Sequence, residues 1–152
     1  MGRRRGVLAA AIAGGLGTAV ALTLTGCALA PATDVSDSEA RDRFAALLDD
    51  AQRMVGGDWQ VQDDPTPREC VIPLWVTGEQ YPALRIGDAS AAPAAAAERV
   101  EQAWVAEGIR VTRTDVGDVI EVSGETADGE LIVLRVSASA STLLGESECR
   151  PL

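Results

Sequence analysis

The chain contains no histidine, no lysine and no asparagine, and its 13 basic residues are all arginine. Imidazole acid–base catalysis, an imidazole metal site and a lysine Schiff base are therefore excluded from the start. Aromatic residues are scarce, with Phe44, Trp59, Trp75, Tyr81 and Trp104 the whole set. Any core must be filled mainly by Val, Leu, Ile and Ala. Positive charge is also short, with 23 acidic residues giving a net charge of -10. If Arg3, Arg4 and Arg5 are removed with a leader, 10 arginines minus 23 acids leaves -13. A surface of that sign repels phosphate backbones, so nucleic acid is not an expected partner.

What is present begins with an address. Arg3, Arg4 and Arg5 are followed by an uncharged apolar run from Val7 to Leu24, the layout of a secretory signal. At 18 residues the run also touches the lower limit of a spanning helix. Gly14, Gly15 and Gly17 weaken that alternative, and the run ends in Leu24-Thr25-Gly26-Cys27. This tetrapeptide resembles the bacterial lipobox, an aliphatic residue and two small residues before a cysteine. The resemblance implies cleavage before Cys27, with diacylglyceryl on its thiol. Two acyl chains meet the two-signal requirement for stable anchoring. The expected location is the outer face of the cytoplasmic membrane, reached by either the general or the twin-arginine exporter.

Export bears on the remaining cysteines. Cys70 and Cys149 form an even pair in an oxidising compartment and are expected to be disulfide-bonded. Two sulfurs without an imidazole make a poor metal site, and no metal or cofactor is expected.

Residues 1–26 thus read as a cleaved signal, 27–35 as lipidated cysteine and short tether, and 36–152 as one extracytoplasmic domain. The tether spans about 20–25 Å at most, at about 3.3 Å per residue, which keeps the domain close to the bilayer. Ser36 and Glu39 form a capping box before Ala40, Phe44, Leu47, Leu48, Ala51 and Val55 at helical spacing, and Gly56-Gly57 stops the helix. A second helix, capped by Ser90 or Asp88, buries Ala97, Val100, Ala103 and Trp104 and exits through Gly108. Period-two patterning predicts strands at 58–62, 70–77, 109–114, 119–124 and 130–138, with a short extended piece at 81–86. The expected fold is α+β in two layers, two helices on one face of a mainly antiparallel sheet of about five strands, order αββαβββ.

No catalytic signature emerges. Ser137, Ser139 and Ser141 alternate with alanines and read as the solvated face of a fading edge strand, without a base beside them. The Asp49-Asp50 side chains diverge on their helix, and Asp63-Asp64 lacks the six to eight oxygens of a calcium site. Trp59 and Trp104 fall on apolar faces and read as core. Trp75, in the run Val71-Ile72-Pro73-Leu74-Trp75-Val76, belongs either to a buried strand or to an exposed sticky edge. A binding patch is therefore expected around Trp75, Tyr81, Asp63 and Asp64.

The lipobox, the capped first helix, Trp59, Asp64-Pro65-Thr66-Pro67 and Cys70 together resemble small actinobacterial lipoproteins of the LppA-like group. The resemblance is specific over about the first 27 residues and looser beyond, thinning after Ile86. It implies an envelope lipoprotein with a disulfide, carries over Cys27 as the lipid site and implies nothing catalytic. The expected role is a membrane-anchored, non-enzymatic binding module for an envelope protein or ligand. The alternatives are a small carboxylate-dependent extracytoplasmic hydrolase and a carrier of lipid or another small ligand. The intact mass of membrane-extracted protein is expected to lack residues 1–26 and to include a diacylglyceryl adduct; an unprocessed N-terminus overturns the anchor.

Overall fold

A computed structural model describes residues 35–152. The expected signal, Cys27 and most of the tether lie outside the described residues. The first helix, α1, spans Asp37–Val55, and Ser36 Oγ accepts the Glu39 backbone N–H at 3.3 Å. Asp37 and Glu39 sit in its first turn, where the helix dipole favours acids. Gly56, at φ 82°, ends it. Its buried face is Ala40, Phe44, Leu48 and Ala51, with Leu47 and Val55 packed against the same core.

The second helix, α2, spans Pro93–Ala106 and buries Ala96, Ala97, Val100 and Trp104. Its N-cap is Ala92, which corrects the expected Ser90 or Asp88 cap. Pro93 presets the first-turn backbone and has no N–H to satisfy, so the helix begins without a side-chain acceptor. Asp88 instead accepts the Asp58 backbone N–H at 3.2 Å, and Ser90 accepts that of Ala92 at 3.3 Å.

Nine strands complete the domain: β1 Trp59–Val61, β2 Arg68–Ile72, β3 Val76–Gln80, β4 Pro82–Gly87, β5 Arg110–Val116, β6 Val119–Glu125, β7 Leu131–Val136, β8 Ser141–Glu146 and β9 Arg150–Pro151. They form two antiparallel sheets, one ordered β1-β4-β8-β7-β6-β5 and a smaller one ordered β2-β3-β9. The class is α+β and mainly antiparallel, but the expected five strands and αββαβββ order are corrected to nine strands, β1 to β4 falling between the helices and β5 to β9 after α2. The helix packing differs as well. The α2 helix crosses β5, β6 and β7, with α1 beside it against β8. At the N-terminus of α1 stands the small sheet, where Arg150 of β9 meets Asp37 at 2.6 Å and donates to the Val35 carbonyl at 2.5 Å.

Each misread strand has a local cause. Residues 70–77 are not one strand but the β2–β3 hairpin, turning at Pro73, Leu74 and Trp75. The serines expected on a fading edge strand instead lie in a turn and at the start of a central strand. Ser137 Oγ donates to the Ala140 carbonyl and accepts the Ser139 and Ala140 N–H groups, while Ser141 opens β8 between β7 and β4.

The scarce aromatics are placed by glycines. The row Ala83, Gly145, Ile132, Gly124, Val111 runs across β4, β8, β7, β6 and β5 and faces the helices. A Cβ at Gly145 would stand 2.6 Å from Phe44 Cζ, and one at Gly124 would stand 3.0 Å from Trp104 Cε3. Gly87 repeats the arrangement under Trp59, whose ring atoms lie 2.6–2.8 Å from such a Cβ. Each of these rings thus rests on bare backbone, and the core between helices and sheet is closed around fully buried Trp104, Leu48, Val100 and Leu143. Gly145→Ala is expected to lower stability by about 1–3 kcal/mol, the cost typical of overpacking, seen as a lower urea midpoint; an unchanged midpoint refutes this seating of Phe44.

Candidate interaction surface

The β2–β3 hairpin carries the most exposed large apolar residue among those described, Trp75, with Leu74 beside it. Ile72 pairs with Val76, leaving Pro73, Leu74 and Trp75 as the turn. Leu74 has φ 75° and Trp75 φ 64°, the only non-glycine residues described in the left-handed region. For bulky side chains that conformation costs on the order of 1–3 kcal/mol each, and it persists only where the surroundings impose it. Its result is that Trp75 is 92 % exposed and Leu74 77 % exposed, with Val71 at 62 % and Val76 at 45 % on the flanking strands. Toward the base the pairs become polar: Arg68 lies opposite Gln80 and Glu69 opposite Glu79.

The hairpin is fastened by β9, the third strand of its sheet, and by the cysteine just before it. Cys70 and Cys149 are joined by a disulfide across a sequence separation of 79. Closing a loop of that length contributes roughly 4 kcal/mol in the chain-entropy model. Gly78 lies opposite Pro151 and Glu79 opposite Arg150. A side chain at Gly78 would collide with the Arg150 carbonyl and the Cys149 sulfur, so this close crossing requires glycine. The Arg150 guanidinium contacts Glu148 and Asp37, both at 2.6 Å, and these two acids hold its pKa above the usual arginine value.

The four residues expected to share a patch fall in three places. Trp75 is at the hairpin tip. Tyr81 follows the opposite end of β3, six residues away or about 20 Å along extended chain, with the Arg41 guanidinium 4.9 Å above its ring. Asp63 is structural: it accepts the Leu84 N–H at 3.1 Å and pairs with Arg85 at 3.0 Å. Arg85 is 4 % exposed and also bonds Asp49 and Gln52 of α1, so this ion cluster ties α1, β4 and the loop after β1 together. Asp64 accepts the Thr66 N–H at 2.9 Å. That bond and the Thr66 hydroxyl hold its carboxyl below the usual value. Leu74, absent from the expected patch, is the second member of the tip. Its signal was the unbroken apolar run around a central proline, which no strand with a wet face would carry.

Beside the hairpin base, on the sheet face away from the helices, Leu84, Val133 and Leu144 line an open groove of about 600 Å³ together with the charged Asp64, Arg68 and Glu146. The carboxyl group most disturbed by burial is elsewhere, at Glu130, where β7 follows the 126–129 turn. Loss of solvent raises its pKa, the Thr126 hydroxyl opposes the shift, and the charges of Glu148 and Asp128 reinforce it. Among the described residues no three His, Cys, Asp or Glu side chains are grouped to hold a metal ion. No described helix is long and apolar enough to cross a membrane.

No protein-family model matches the chain, nor does any curated protein. Among solved structures it is similar to the crystal structure of a DUF4853 family protein from Actinomyces odontolyticus ATCC 17982, at TM-score 0.52 and 14% identity. The similarity covers 72% of this chain and 63% of that one, so the chain spans under two thirds of its neighbour's length. At that identity the likeness is one of fold.

The Glu130 environment gives a signed pH dependence. A carboxyl with a raised folded pKa contributes stability that is complete below its unfolded value, about 4.3, and is lost as pH rises through the folded one. Glu130→Gln is therefore expected to raise the melting temperature at pH 7, with the gain over the parent closing as the pH falls toward 4. A gain that persists unchanged at pH 4 contradicts the assignment.

Proposed function

We propose that this protein is a non-enzymatic interaction module of the cell envelope, tethered through Cys27 to the outer face of the cytoplasmic membrane, which meets its target with the Leu74–Trp75 tip. The observation that carries this reading is the tip: a tryptophan 92 % exposed beside a leucine 77 % exposed, both in left-handed backbone. Exposed Trp and Leu lose hydrophobic stabilisation unless a partner covers them, and tryptophan is the residue most enriched among interface anchors. Strain stored at the same two positions adds a second cost to the free domain. Both costs are offset if a bound state buries the tip.

The alternatives have less behind them. A carrier with its cavity between helices and sheet conflicts with the filling of that layer by Phe44, Leu48, Val100 and Trp104. A carboxylate hydrolase calls for an accessible acid pair with divergent pKa values. Glu130 is shifted upward, but Glu148 beside it is buried and committed to Arg150. Without histidine or lysine, a base for such chemistry would have to be a second carboxylate.

A photo-crosslinking amino acid at position 75 in intact cells is the test, with position 116 as control. Val116 is 64 % exposed and ends β5, away from the hairpin. The expected outcome is crosslinking from position 75, to protein or to lipid, and none from position 116. Identical adduct patterns from the two positions refute the tip as the contact element.

A further inference from the structure

We infer that the tip's target is the lipid bilayer itself: Leu74 and Trp75 form an apolar wedge seated in the interfacial layer of the membrane that holds Cys27. The inference rests on the tethered reading above and adds the chemical class of the target.

Where the chain enters the fold comes first. Val35 is the first described residue, and its carbonyl accepts from Arg150 at 2.5 Å. Arg150 lies opposite Glu79 in β3, the outgoing strand of the hairpin. The tether therefore joins the domain beside the base of the arm whose tip is Trp75. Glu79 is four positions along the chain from Trp75, about 13 Å of extended strand. The eight positions from Cys27 to Val35 span at most about 25 Å. An anchor at Cys27 thus holds the entry point close enough for an arm of that length to reach the same bilayer.

The arm also has the polarity profile of an interface. Charged and amide pairs at the base, Arg68 with Gln80 and Glu69 with Glu79, give way to Val71, Ile72 and Val76 and then to Leu74 and Trp75. Interfacial elements bury their apolar face some 5–10 Å into the headgroup boundary, within the length of this gradient. Tryptophan concentrates at that depth because its ring is apolar and its N–H is polar.

A protein partner fits less well. A specific interface covers roughly 800 Å² of each partner, whereas this surface is a convex knob of a few side chains. Lipid needs no preformed pocket to receive a knob. The electrostatics set the lipid type: with no lysine and, once Arg3, Arg4 and Arg5 leave with the signal, 10 arginines against 23 acids, the processed chain has no run of basic residues to draw it to anionic headgroups. Seating must come from apolar burial, and anionic headgroups can only oppose it.

The full processed chain, inserted through its anchor into phosphatidylcholine vesicles with brominated acyl chains, tests this directly. Bromine quenches indole only at short range; Trp104 is fully buried, and half-buried Trp59 supplies the background that remains in Trp75→Phe, so the Trp75 signal is the difference between parent and that variant. The parent is expected to show lipid quenching that is lost in Trp75→Phe, and adding phosphatidylglycerol is expected not to strengthen it. Leu74→Asp, an exposed substitution outside the core, is expected to turn Trp75 toward water, so that aqueous iodide quenches it instead. Trp75 of the parent quenched by iodide and untouched by brominated chains overturns the wedge, even where position 75 still crosslinks to a protein. Quenching that requires the anionic lipid overturns it too. A chain that fails to float with the vesicles overturns the tethered reading and this inference together.

Discussion

Aromatic rings resting on glycines hold the architecture together. Phe44 over Gly145 fixes α1 to β8, Trp104 over Gly124 fixes α2 to β6, and Trp59 over Gly87 closes β1 onto β4. A chain this poor in aromatics has few bulky side chains to spend, and each seat brings a large ring down onto bare backbone. Close contact between helices and sheet follows without large side chains on the opposing strand. The small residues around the seats, Ala51, Ala83, Ala96 and Ala97, let helices and sheet approach closely enough for the rings to touch backbone. Tyr81 is covered in another way, by the Arg41 guanidinium. That leaves Trp75, an aromatic without a seat in a molecule that seats its others.

The arm carrying Trp75 is held by different means. A three-stranded sheet of five-, five- and two-residue strands, most of them exposed, does not bury enough surface to order itself. The Cys70–Cys149 bond and the Arg150 contacts with Asp37, Glu148 and Val35 supply what apolar burial does not. Both fastenings lie at the base, leaving the tip unencumbered. Covalent and ionic attachment thus replaces a local core, and the apolar residues that a core would have consumed remain at the surface.

The legible parts of this fold were those where local pattern and tertiary role agree. Ser36, Glu39, the Ala40–Phe44–Leu48–Ala51 stripe and Gly56 specify α1 by local rules, and Gly108 ends α2 as its position suggests. The strand β8 was illegible because Ser141-Thr142-Leu143-Leu144-Gly145-Glu146 sets two leucines side by side and includes a glycine. That glycine is there for Phe44, a requirement no local pattern states. Asp63 and Asp64 were expected together in a binding patch; only Asp63 reaches Arg85, through a contact 22 positions away. The hairpin was hidden because its turn has none of the glycine, asparagine or aspartate that normally tolerates left-handed backbone. Local preference is overridden just where the side chains are most exposed, the pattern expected of a position kept for contact and not for folding.

The arginines explain why that contact should be apolar. Arg85 is taken up by Asp49 and Asp63, Arg110 by Glu125, Arg113 by Glu101, Arg135 by Glu121, and Arg150 by Asp37 and Glu148. Arg99 donates to the Met54 carbonyl and joins the two helices. Used in this way, the cations bind the molecule to itself, and the charge left over is negative. An acidic body gains nothing from approaching anionic headgroups or phosphate, and with no lysine it lacks a long, flexible cation to reach past its own acids. What it can offer outward without electrostatic penalty is an uncharged surface. The only described non-glycine residues in left-handed backbone are Leu74 and Trp75, which present that surface at the end of a cross-linked arm.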